Sequence, residues 1–496
     1  MKKVLFENEA IFWWVRETAN LKVDYRIYLN GEFFKQTDKT HVRIDGLTPL
    51  VNYTILVETV NHNGEILSTN KETFTTLAKK RIIDVTKAPY YAVGDGKTMN
   101  TIMLQKALDD CKSTDMVFFP AGVYVTGALN LHSDTEIYIS PDAVLQGTKN
   151  AIDYLPKIKS RFEGIEQLCY SSLLNMGELN HKQGANCKNI IIRGGGTISG
   201  GGRSLAENVI ETEKKNSTVE REKTVDCDNE NTVYGRARPR LINVSNSENV
   251  IIADITVQHG PSWNIHMIYS KNVVTYGCNF YSENVWNGDG WDPDSSENCT
   301  IFDCTFNTGD DCIAIKSGKN PEGNKISRVT KNIDIFDCKS VYGHGVAIGS
   351  EVSGGVENVR IWDCDFKDSW TGITLKSHKK RGGYIRNVSV FNSEFSGVLI
   401  IGSVWYNQDG ESAPTITFFE DLRFENIFLT GKCYSSKKER YCIPPIDIRG
   451  YDDSKEYFRD IKFENIYLQR HSKDEAKEIS VKDVEDIVFE NITFVE

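Results

Sequence analysis

The sequence predicts an all-β protein in which a small β-sandwich precedes a long β-solenoid. Two observations support this prediction. The first 78 or so residues alternate apolar and polar positions between turn signals, and a short asparagine-containing motif recurs through the rest of the chain. A length of 496 residues is more than one core usually supports. We therefore predict two domains, a sandwich over residues 1–80 and a solenoid over residues 81–496.

The predicted sandwich begins the chain. Its stretches VDYRIYLN, VNYTILVETV and KETFTTL alternate in hydropathy, and the pairs Asn30-Gly31 and Asn63-Gly64 are typical of hairpin turns. The stretch GLTPLVNYTILVETVNHNGE resembles the second half of a fibronectin type III domain, in which a leucine and a tyrosine anchor the core. This segment shows no convincing nucleophile, acid pair or metal-ligating cluster. We expect it to be a positioning or binding module.

The second domain starts with a different pattern. The stretch TMNTIMLQKALDDC has apolar residues at helical spacing and predicts an amphipathic helix. The stretch that follows, MVFFPAGVYVTGALNLHSDTEIYISPDAVLQGT, predicts a series of short strands broken by Gly and Pro.

The repeat that defines the solenoid is an asparagine followed by alternating β-branched residues, as in KNIIIRG, ENVIIAD and KNVVTYG. Its asparagines are at positions 189, 249, 272, 298, 332, 358 and 387, mostly 23 to 34 residues apart. Strand-rich units at this period cannot bury their own apolar faces, so they must stack, with equivalent positions about 4.8 Å apart. The asparagines are interpreted as turn formers, and a stacked amide ladder is the alternative.

Four rungs place a cysteine shortly after their strand, at Cys278, Cys304, Cys338 and Cys364. Since buried free cysteine packs as a small hydrophobe and none of these has CxxC spacing, we predict one inward-facing ladder and neither disulfides nor a metal site. The motif FENI recurs at Phe424, Phe463 and Phe489. The solenoid is therefore expected to continue to the last residues.

Composition restricts the possible partners. A formal net charge of −11 argues against nucleic acid or an anionic membrane, although a locally basic groove for an anionic substrate is compatible with it. Glu7 and Glu9 interrupt the apolar residues at the N-terminus, where no signal-peptide pattern is seen, and no apolar run is long enough to span a bilayer. We expect no nucleic-acid or membrane partner and a cytoplasmic location, and we leave the oligomeric state open.

Two glycine-flanked acidic clusters stand out in the stretch NGDGWDPDSSENCTIFDCTFNTGDDCIAIKSG. Asp289 and Asp310 are 21 residues apart, close to one rung. Their turns should therefore stack, and their carboxylates should project from the same side of the solenoid. Asp311 adds a third carboxylate next to Asp310.

The following rungs add an imidazole and several cations. His344 lies within a Gly-His-Gly motif, and Lys376 is followed by the basic run 378–381. Carboxylates, an imidazole and cations along one groove are suited to general acid and base catalysis on an anionic sugar polymer. Inverting glycoside hydrolysis uses two carboxyl groups about 6.5–9.5 Å apart with a water between them. Crowding of like charges is one way to keep one of them protonated.

From about Arg81 onward the sequence resembles glycoside hydrolase family 28, the polygalacturonases, which are right-handed parallel β-helices of the pectin-lyase-like type. The four motifs of the family are Asn-Thr-Asp, Gly-Asp-Asp, Gly-His-Gly and Arg-Ile-Lys. The corresponding segments here are NGD at 287–289, GDD at 309–311, GHG at 343–345 and TLK at 374–376. Three of the four motifs in the right order make the match specific.

The resemblance implies a role for each matching residue. Asp310 would protonate the glycosidic oxygen, Asp289 and Asp311 would activate the water, and His344 would support protonation of the acid. The expected substrate-binding residues are Lys376, Asn287, Lys316 and Arg381. We expect a pectic oligo- or polysaccharide as the substrate, inverting hydrolysis of α-1,4-galacturonosyl linkages, and no metal or other cofactor.

The sequence departs from the family pattern at Thr374, where the family has arginine. A hydroxyl cannot replace a bidentate guanidinium contact to a carboxylate. Either nearby cations, Lys316, Lys379 or Arg381, compensate for the loss, or the sugar at that position is not plain galacturonate. A modified pectic polymer such as rhamnogalacturonan is therefore the alternative substrate.

Exo action is expected because the stretches DPDSS and AIGSEVSGGV and the fibronectin-like module resemble bacterial members of the family that act from a chain end. Large loops at 153–186 and 203–236 would close one end of the groove. Two interpretations remain open among the site residues. Asp292, beside Pro293, is read as a turn former more than a catalytic group. Trp263 and Trp291 either stack on sugar rings or pack in the core.

Two other functional classes remain as alternatives. A pectate-lyase-like enzyme would use the same solenoid with a calcium ion and a basic residue as proton acceptor. A non-catalytic carbohydrate-binding or tailspike-like solenoid would not depend on Asp310. Sensitivity to a chelator and tolerance of Asp310→Asn distinguish these classes from an inverting hydrolase.

Overall fold

The computed structural model describes residues 1–16, 23–216, 230–402, 410–434, 439–472 and 477–496. The chain forms two compact units, Met1–Ile82 and Ile83–Glu496. In the described part of the chain, no helix has the length and apolar character needed to cross a membrane.

The first unit consists of two antiparallel sheets, as the alternating pattern predicts. The three-stranded sheet has the order Lys2–Leu5, Glu9–Trp13 and His41–Asp45, and the four-stranded sheet has the order Glu32–Thr37, Val23–Leu29, Asn52–Asn61 and Ile66–Thr75. Phe12 and Phe74 pack edge to face in the core, with ring centroids 5.0 Å apart. Leu47 is buried, and the hydroxyl of Tyr53 accepts a hydrogen bond from the backbone N–H of Thr48 (3.0 Å).

The second unit is a right-handed parallel β-helix, as predicted. Its main sheet contains 22 strands: Arg81–Asp84, Asp95–Met99, Asp115–Phe119, Gly122–Thr126, Glu136–Ile139, Ala143–Gly147, Cys187–Arg193, Thr197–Ser199, Ser247–Ala253, Thr256–Gln258, Lys271–Tyr276, Asn279–Tyr281, Glu297–Phe302, Thr305–Asn307, Thr330–Phe336, Lys339–Tyr342, Val356–Trp362, Asp365–Phe366, Tyr384–Phe395, Phe418–Leu429, Phe458–Gln469 and Ile487–Val495. The strand Arg81–Asp84 spans the boundary between the two units.

A second parallel sheet positions the candidate site and is called the site sheet below. Its 11 strands are, in order, Leu129–Leu131, Leu174–Met176, Ile242–Ser245, Ile265–Ile268, Trp291–Asp294, Ile313–Ile315, Val346–Gly349, Ile373–Lys376, Val398–Ile401, Ile446–Arg449 and Ser480–Lys482. Because successive strands pair in parallel, each rung adds one strand and brings equivalent residues into columns.

Helices and hairpins decorate the solenoid. The α-helices are Thr101–Asp109, Gly202–Asn216, Glu230–Gly235 and Glu322–Ile326, and the 3₁₀ turns are Ala151–Tyr154, Lys379–Arg381 and Lys455–Tyr457. The first helix confirms the amphipathic pattern in TMNTIMLQKALDDC. Two antiparallel hairpins are formed by Ile158–Phe162 with Ile165–Cys169, and by Lys432–Tyr434 with Arg440–Cys442.

The segments expected to be large loops, 153–186 and 203–236, contain regular secondary structure. The first contains the hairpin 158–169, and the second begins within the helix Gly202–Asn216. Residues 217–229 of the second segment lie outside the described residues.

The repeat asparagines are both turn formers and a ladder. Each has a positive φ, between 51° and 59°, at the corner where a strand begins. This left-handed conformation is one that asparagine tolerates better than most residues. Their amides are also hydrogen-bonded from rung to rung, as from Asn272 Nδ2 to Asn249 Oδ1 and from Asn298 Nδ2 to Asn272 Oδ1 (both 3.1 Å). The ladder satisfies the side-chain polar groups at the corner.

The interior is a set of stacked columns. Cys278, Cys304, Cys338 and Cys364 are all buried, which agrees with the predicted inward ladder. Every cysteine among the described residues is free. Aromatic rings stack in the same way, including Phe336 on Trp362 with centroids 4.4 Å apart. Burial of these columns is the main source of stability expected for a solenoid.

Candidate active site

The carboxylates lie where chain turns enter the site sheet. Trp291 pairs with Ile313 across neighbouring strands, and the backbone N–H of Gly290 donates to the carbonyl of Asp311 (3.0 Å). Asp289 lies two residues before Trp291, and Asp311 lies two residues before Ile313. The two aspartates are therefore level with one another. The stacking of the two acidic turns follows the sequence prediction, but the offset is 22 residues, so Asp311 and not Asp310 is in register with Asp289.

His344 lies one rung further on and faces both acidic residues of the GDD motif. Its Nδ1 is 3.0 Å from Asp310 Oδ1 and 3.6 Å from Asp311 Oδ1. Burial alone would lower the pKa of this imidazole, but the two carboxylates raise it to about 10. His344 is therefore charged at neutral pH, and the Asp310–His344 pair holds a proton beside the groove.

Asp311 is held ionised. Only 6% of its surface is exposed, and burial opposes its charge, but Lys376 Nζ at 3.3 Å and His344 together keep its pKa well below the usual value. Lys376, at the end of its site-sheet strand, thus reaches back over the groove. Asp310 is more accessible, with 27% of its side chain exposed.

Asp289 and Asp292 share a buried lysine. Lys316 Nζ donates to Asp289 Oδ2 (3.0 Å) and to Asp292 Oδ2 (2.7 Å), and all three residues are at most 4% exposed. Burial raises the pKa of Asp289 well above its usual value and that of Asp292 to about 7, although Lys316 opposes both shifts. Neighbouring carboxylates add to the effect. The group therefore binds a proton in the neutral range.

The interpretation of Asp292 as a turn former was wrong. Asp292 lies inside the strand Trp291–Asp294, and its side chain points to the outer face of the sheet, in register with His266 of the preceding rung. The stretch DPDSS looked like a turn because Pro293 is unusual in a central strand. The signal that was missed is the alternation Asp-Pro-Asp, which places Asp292 and Asp294 on the same face.

Beside these carboxylates, one side of the groove is covered by the hairpin 158–169. Arg161 Nη1 donates to Asp294 (2.6 Å), and the ring of Phe162 stacks on Trp263 with centroids 5.0 Å apart. Arg240 lies over the Phe162 ring (4.4 Å). The charged groups under the hairpin are fully or almost fully buried, so the hairpin excludes solvent from this part of the sheet.

His266 belongs to the same covered region. It is fully buried, with Nε2 3.5 Å from Asp294 Oδ2 and Nδ1 accepting from Arg240 Nε (3.4 Å). Burial lowers its pKa to about 3, so it is neutral at physiological pH. Arg161, Arg240 and His266 were not singled out in the sequence because their partners are far away in the chain.

Three predicted sugar-binding residues hold structural positions. Asn287 has a φ of 49°, and its Oδ1 accepts from Arg238 Nη2 (2.6 Å), which fixes the turn before Asp289. Arg381 is fully buried and donates to Asn320 Oδ1 (2.7 Å) and to the Ser350 carbonyl. It is therefore placed to support the surrounding loops, and direct contact with substrate does not fit its burial. Lys316 is buried against the carboxylates.

Lys379, suggested as a compensating cation, forms an ion pair with Asp453 on the surface. Thr374 is 6% exposed and donates to Thr371 Oγ1 (3.0 Å), which in turn donates to the carbonyl of His344 (2.6 Å). The position of the family arginine is thus occupied by a hydroxyl that braces the histidine turn.

The two tryptophans are not sugar platforms. Trp291 is fully buried and donates to Thr275 Oγ1 (3.0 Å). Trp263 is buried beneath the Lys316 ammonium, which lies 3.7 Å from its ring centroid. The alternative of core packing is therefore the correct one for both.

One group of described residues has the donor set of a cation site. The ligand atoms of Asp310, Asp311 and His344 lie within 4.8 Å of one another. A metal ion requires a neutral imidazole, and the raised pKa of His344 opposes this. The arrangement is therefore better suited to holding a proton than to holding an ion.

Comparisons with known proteins identify the family of the chain. A sequence model described as glycosyl hydrolases family 28 matches residues 141–443. The exo-poly-alpha-D-galacturonosidase of Dickeya chrysanthemi is 28% identical, over 96% of this chain and 86% of its own length. A family 28 exopolygalacturonase structure from Yersinia enterocolitica has a TM-score of 0.82 at 24% identity, covering 99% of this chain and 94% of that one. An exopolygalacturonase from Thermotoga maritima has a TM-score of 0.64 at 24% identity, covering 84% and 91%. The family match confirms the resemblance indicated by the motifs, and the two structures share the β-helix fold.

Proposed function

Because the chain belongs to glycosyl hydrolase family 28 and is a glycoside hydrolase, we propose that it hydrolyses α-1,4-galacturonosyl linkages of polygalacturonate and pectic oligosaccharides, with inversion and from a chain end. The observation that carries this proposal is the convergence of Asp289, Asp310 and Asp311 with His344 and Lys376 over the outer face of the site sheet. The similarity to the Dickeya exo-poly-alpha-D-galacturonosidase, over nearly the whole chain, supports the substrate and the exo mode.

Proton donation is assigned to Asp310 with His344. Asp310 is the most exposed of the site carboxylates, and the imidazolium beside it retains a proton at neutral pH. As the bond between the anomeric carbon and the glycosidic oxygen breaks, the pair delivers this proton to the leaving oxygen. The pair is recharged from solvent after the product leaves.

Water activation is assigned to Asp289 and Asp311, which are level with each other across neighbouring rungs. The water adds its oxygen to the anomeric carbon from the face opposite the leaving group, and its proton passes to this carboxylate pair. Asp311 is held ionised by Lys376 and His344, so a base is present at neutral pH. A single displacement of this kind inverts the anomeric configuration.

An anionic sugar is favoured by the cations around the carboxylates. Lys376 Nζ lies 3.3 Å from Asp311 Oδ2, and 17% of its side chain is accessible, compared with 5% for Lys316. Its ammonium can therefore bind a uronate carboxylate next to the reacting bond. Lys316 offsets the charge of Asp289 and Asp292 from below.

Exo action is supported by the hairpin 158–169. Phe162 packs on Trp263 and Arg161 bonds to Asp294, so the hairpin covers the groove at the rung before Asp289 and at the end of the strand Trp291–Asp294. A polymer running through the site would need this space. The site is thus a pocket on that side, and it receives one end of a chain.

Thr374 keeps rhamnogalacturonan as a second candidate substrate. The guanidinium expected by the family pattern is replaced by a hydroxyl bonded to Thr371. A sugar without a carboxylate at that position has no group that needs a guanidinium contact, so it can bind without the arginine.

The proposal is tested by incubating the purified protein with defined oligogalacturonides and, in parallel, with rhamnogalacturonan oligomers. Products are resolved by mass and by the NMR signal of the newly formed anomeric proton. Release of one short product from the start, with inverted configuration, is expected. A ladder of products of many lengths would overturn exo action, and cleavage of rhamnogalacturonan alone would overturn the galacturonan assignment.

A further inference from the structure

The groove is open on the side opposite the hairpin 158–169. Beyond His344, the site sheet continues through the strands Ile373–Lys376, Val398–Ile401 and Ile446–Arg449. A cavity of about 190 Å³ is lined by residues of the last two of these strands and of the turns beside them. Its lining includes Trp370, Thr371, Leu399, Tyr441, Asp447 and Arg449.

Two residues that line this cavity, Trp370 and Thr371, contact the histidine turn. The ring of Trp370 packs edge to face on His344, with centroids 4.5 Å apart. The Trp370 backbone N–H donates to the carbonyl of Gly343 (2.7 Å), and its indole N–H donates to Tyr441 Oη (3.2 Å). Thr371 Oγ1 donates to the His344 carbonyl. The same residues that border the cavity therefore position the histidine turn.

Arg449 supplies a cation at the far end of the cavity. It lies in the same column as Lys376, two strands further along, since Lys376 pairs with Ile401 and Ile401 pairs with Arg449. Two strand spacings amount to about 10 Å. A group bound at Arg449 is therefore beyond the reach of Lys376 and must belong to another part of the substrate.

The Arg449 guanidinium is oriented by Asp447. Its Nε donates to Asp447 Oδ1 (3.1 Å), and its Nη2 bonds to Oδ2 of the same carboxylate. This bidentate pair uses one edge of the planar fork. More than half of the arginine side chain is exposed, so Nη1, on the other edge, is available to a ligand. Tyr441 lines the same cavity, and 45% of the residue is accessible.

We propose that Trp370, Tyr441 and Arg449 form a second sugar subsite, which takes the next hexuronate of the chain on the open side and binds its carboxylate through Arg449. This inference rests on the proposed function and extends it. If one end of the substrate enters a pocket closed by the hairpin, the rest of the chain must leave over Trp370. The aromatic side chains then present apolar surface to the sugar ring, and Arg449 sets a preference for a charged sugar at this position.

The subsite gives this chain a guanidinium contact that Thr374 does not provide. The contact lies two rungs away from the family position, so it acts on a different sugar. Substrates long enough to reach Arg449 should therefore be preferred over the shortest substrate that spans the scissile bond.

The test compares hydrolysis of trigalacturonate and digalacturonate by the wild type and by Arg449→Gln, Arg449→Lys, Trp370→Ala and Lys482→Gln. Lys482 pairs with Arg449 one strand further on and is mostly exposed, so its variant is the matched control. The ratio of kcat/KM for the trimer to that for the dimer should fall about ten- to hundredfold in Arg449→Gln, the size of a charged hydrogen bond. The Lys variant should recover part of this loss, and the control should keep the wild-type ratio. An unchanged ratio in Arg449→Gln overturns the subsite.

A binding measurement separates this result from failure of the proposed function. Trigalacturonate is titrated calorimetrically into Asp310→Asn and into Asp310→Asn with Arg449→Gln. Weaker binding by the double variant supports the subsite even when turnover is low, and equal binding by both overturns it. A wild type that cleaves neither oligomer overturns the proposed function, and the titration still decides whether Arg449 binds the uronate.

Discussion

The ammonium of Lys316 bridges two carboxylates. It donates to Asp289 Oδ2 (3.0 Å) and to Asp292 Oδ2 (2.7 Å). One ammonium thus serves two buried carboxylates. Burial, with the neighbouring carboxylate of Asp311, raises the pKa of both Asp289 and Asp292, although Lys316 opposes the shift.

Replacing Lys316 with Met should lower both stability and activity. The substitution leaves two buried carboxylates without their common partner, which is expected to cost about 3–5 kcal/mol in the free energy of unfolding. Chemical denaturation measures this loss. The control is Lys462→Met, whose exposed partners Glu464 and Glu490 are on the main sheet, and it should change stability by about 1 kcal/mol or less. Equal effects of the two substitutions would refute the bridging role of Lys316.

Asp292 makes the stability dependent on pH. Its pKa rises from 3.8 in the unfolded chain to about 7 in the fold because of burial. Its proton therefore stabilises the fold fully below about pH 4, and this contribution is lost as pH rises through about 7. The free energy of unfolding of Asp292→Asn should lack this decline when it is measured by denaturation across the same range. Identical pH profiles for the variant and the wild type would show that Asp292 does not carry the proton.

Protonation of His344 stabilises the fold, as protonation of Asp292 does, although the protonated imidazole is charged and the protonated carboxyl is neutral. Its pKa is raised from 6.5 to about 10 by Asp310 and Asp311, against the effect of burial. The ion pairs contribute stability that is complete below about pH 6.5 and is lost as pH rises through about 10. His344→Gln should lose this alkaline dependence, and its kcat should fall about ten- to hundredfold because the charged contact to Asp310 is removed. A kcat equal to that of the wild type would contradict the role of His344.

A chelator should leave activity unchanged. The Asp310, Asp311 and His344 group has the spacing of a cation site, but a charged imidazole opposes metal binding. Activity on oligogalacturonides is measured after dialysis against EDTA, with ultraviolet absorbance recorded to detect unsaturated products. Loss of activity that calcium restores, together with ultraviolet-absorbing products, would instead support the lyase alternative.

The stacked columns of the solenoid could be predicted from the sequence because the sequence repeats with a period near one rung. The asparagine and cysteine columns follow from a period near one rung, and the same period brings Asp289 close to the GDD motif. The hairpin 158–169 was not predictable, because Arg161 meets Asp294 across 133 residues of chain. No local pattern records such a contact.

The basic run 378–381 shows the limit of local interpretation more clearly. Its charge suggested cations that bind the sugar, whereas Arg381 is fully buried and Lys379 pairs with Asp453. Asp292 was misread for a similar reason. Pro and Ser beside it are typical of turns, and only the pairing of neighbouring rungs places it in a strand.

The most direct test of the central claim is hydrolysis of oligogalacturonides by Asp310→Asn beside Asp365→Asn, whose carboxylate is exposed on the main sheet and pairs with Lys367. If Asp310 is the proton donor, kcat of Asp310→Asn should fall by about 10²–10⁴-fold. Asp365→Asn should retain wild-type turnover and the same products. Substantial turnover by Asp310→Asn would contradict acid catalysis at this site.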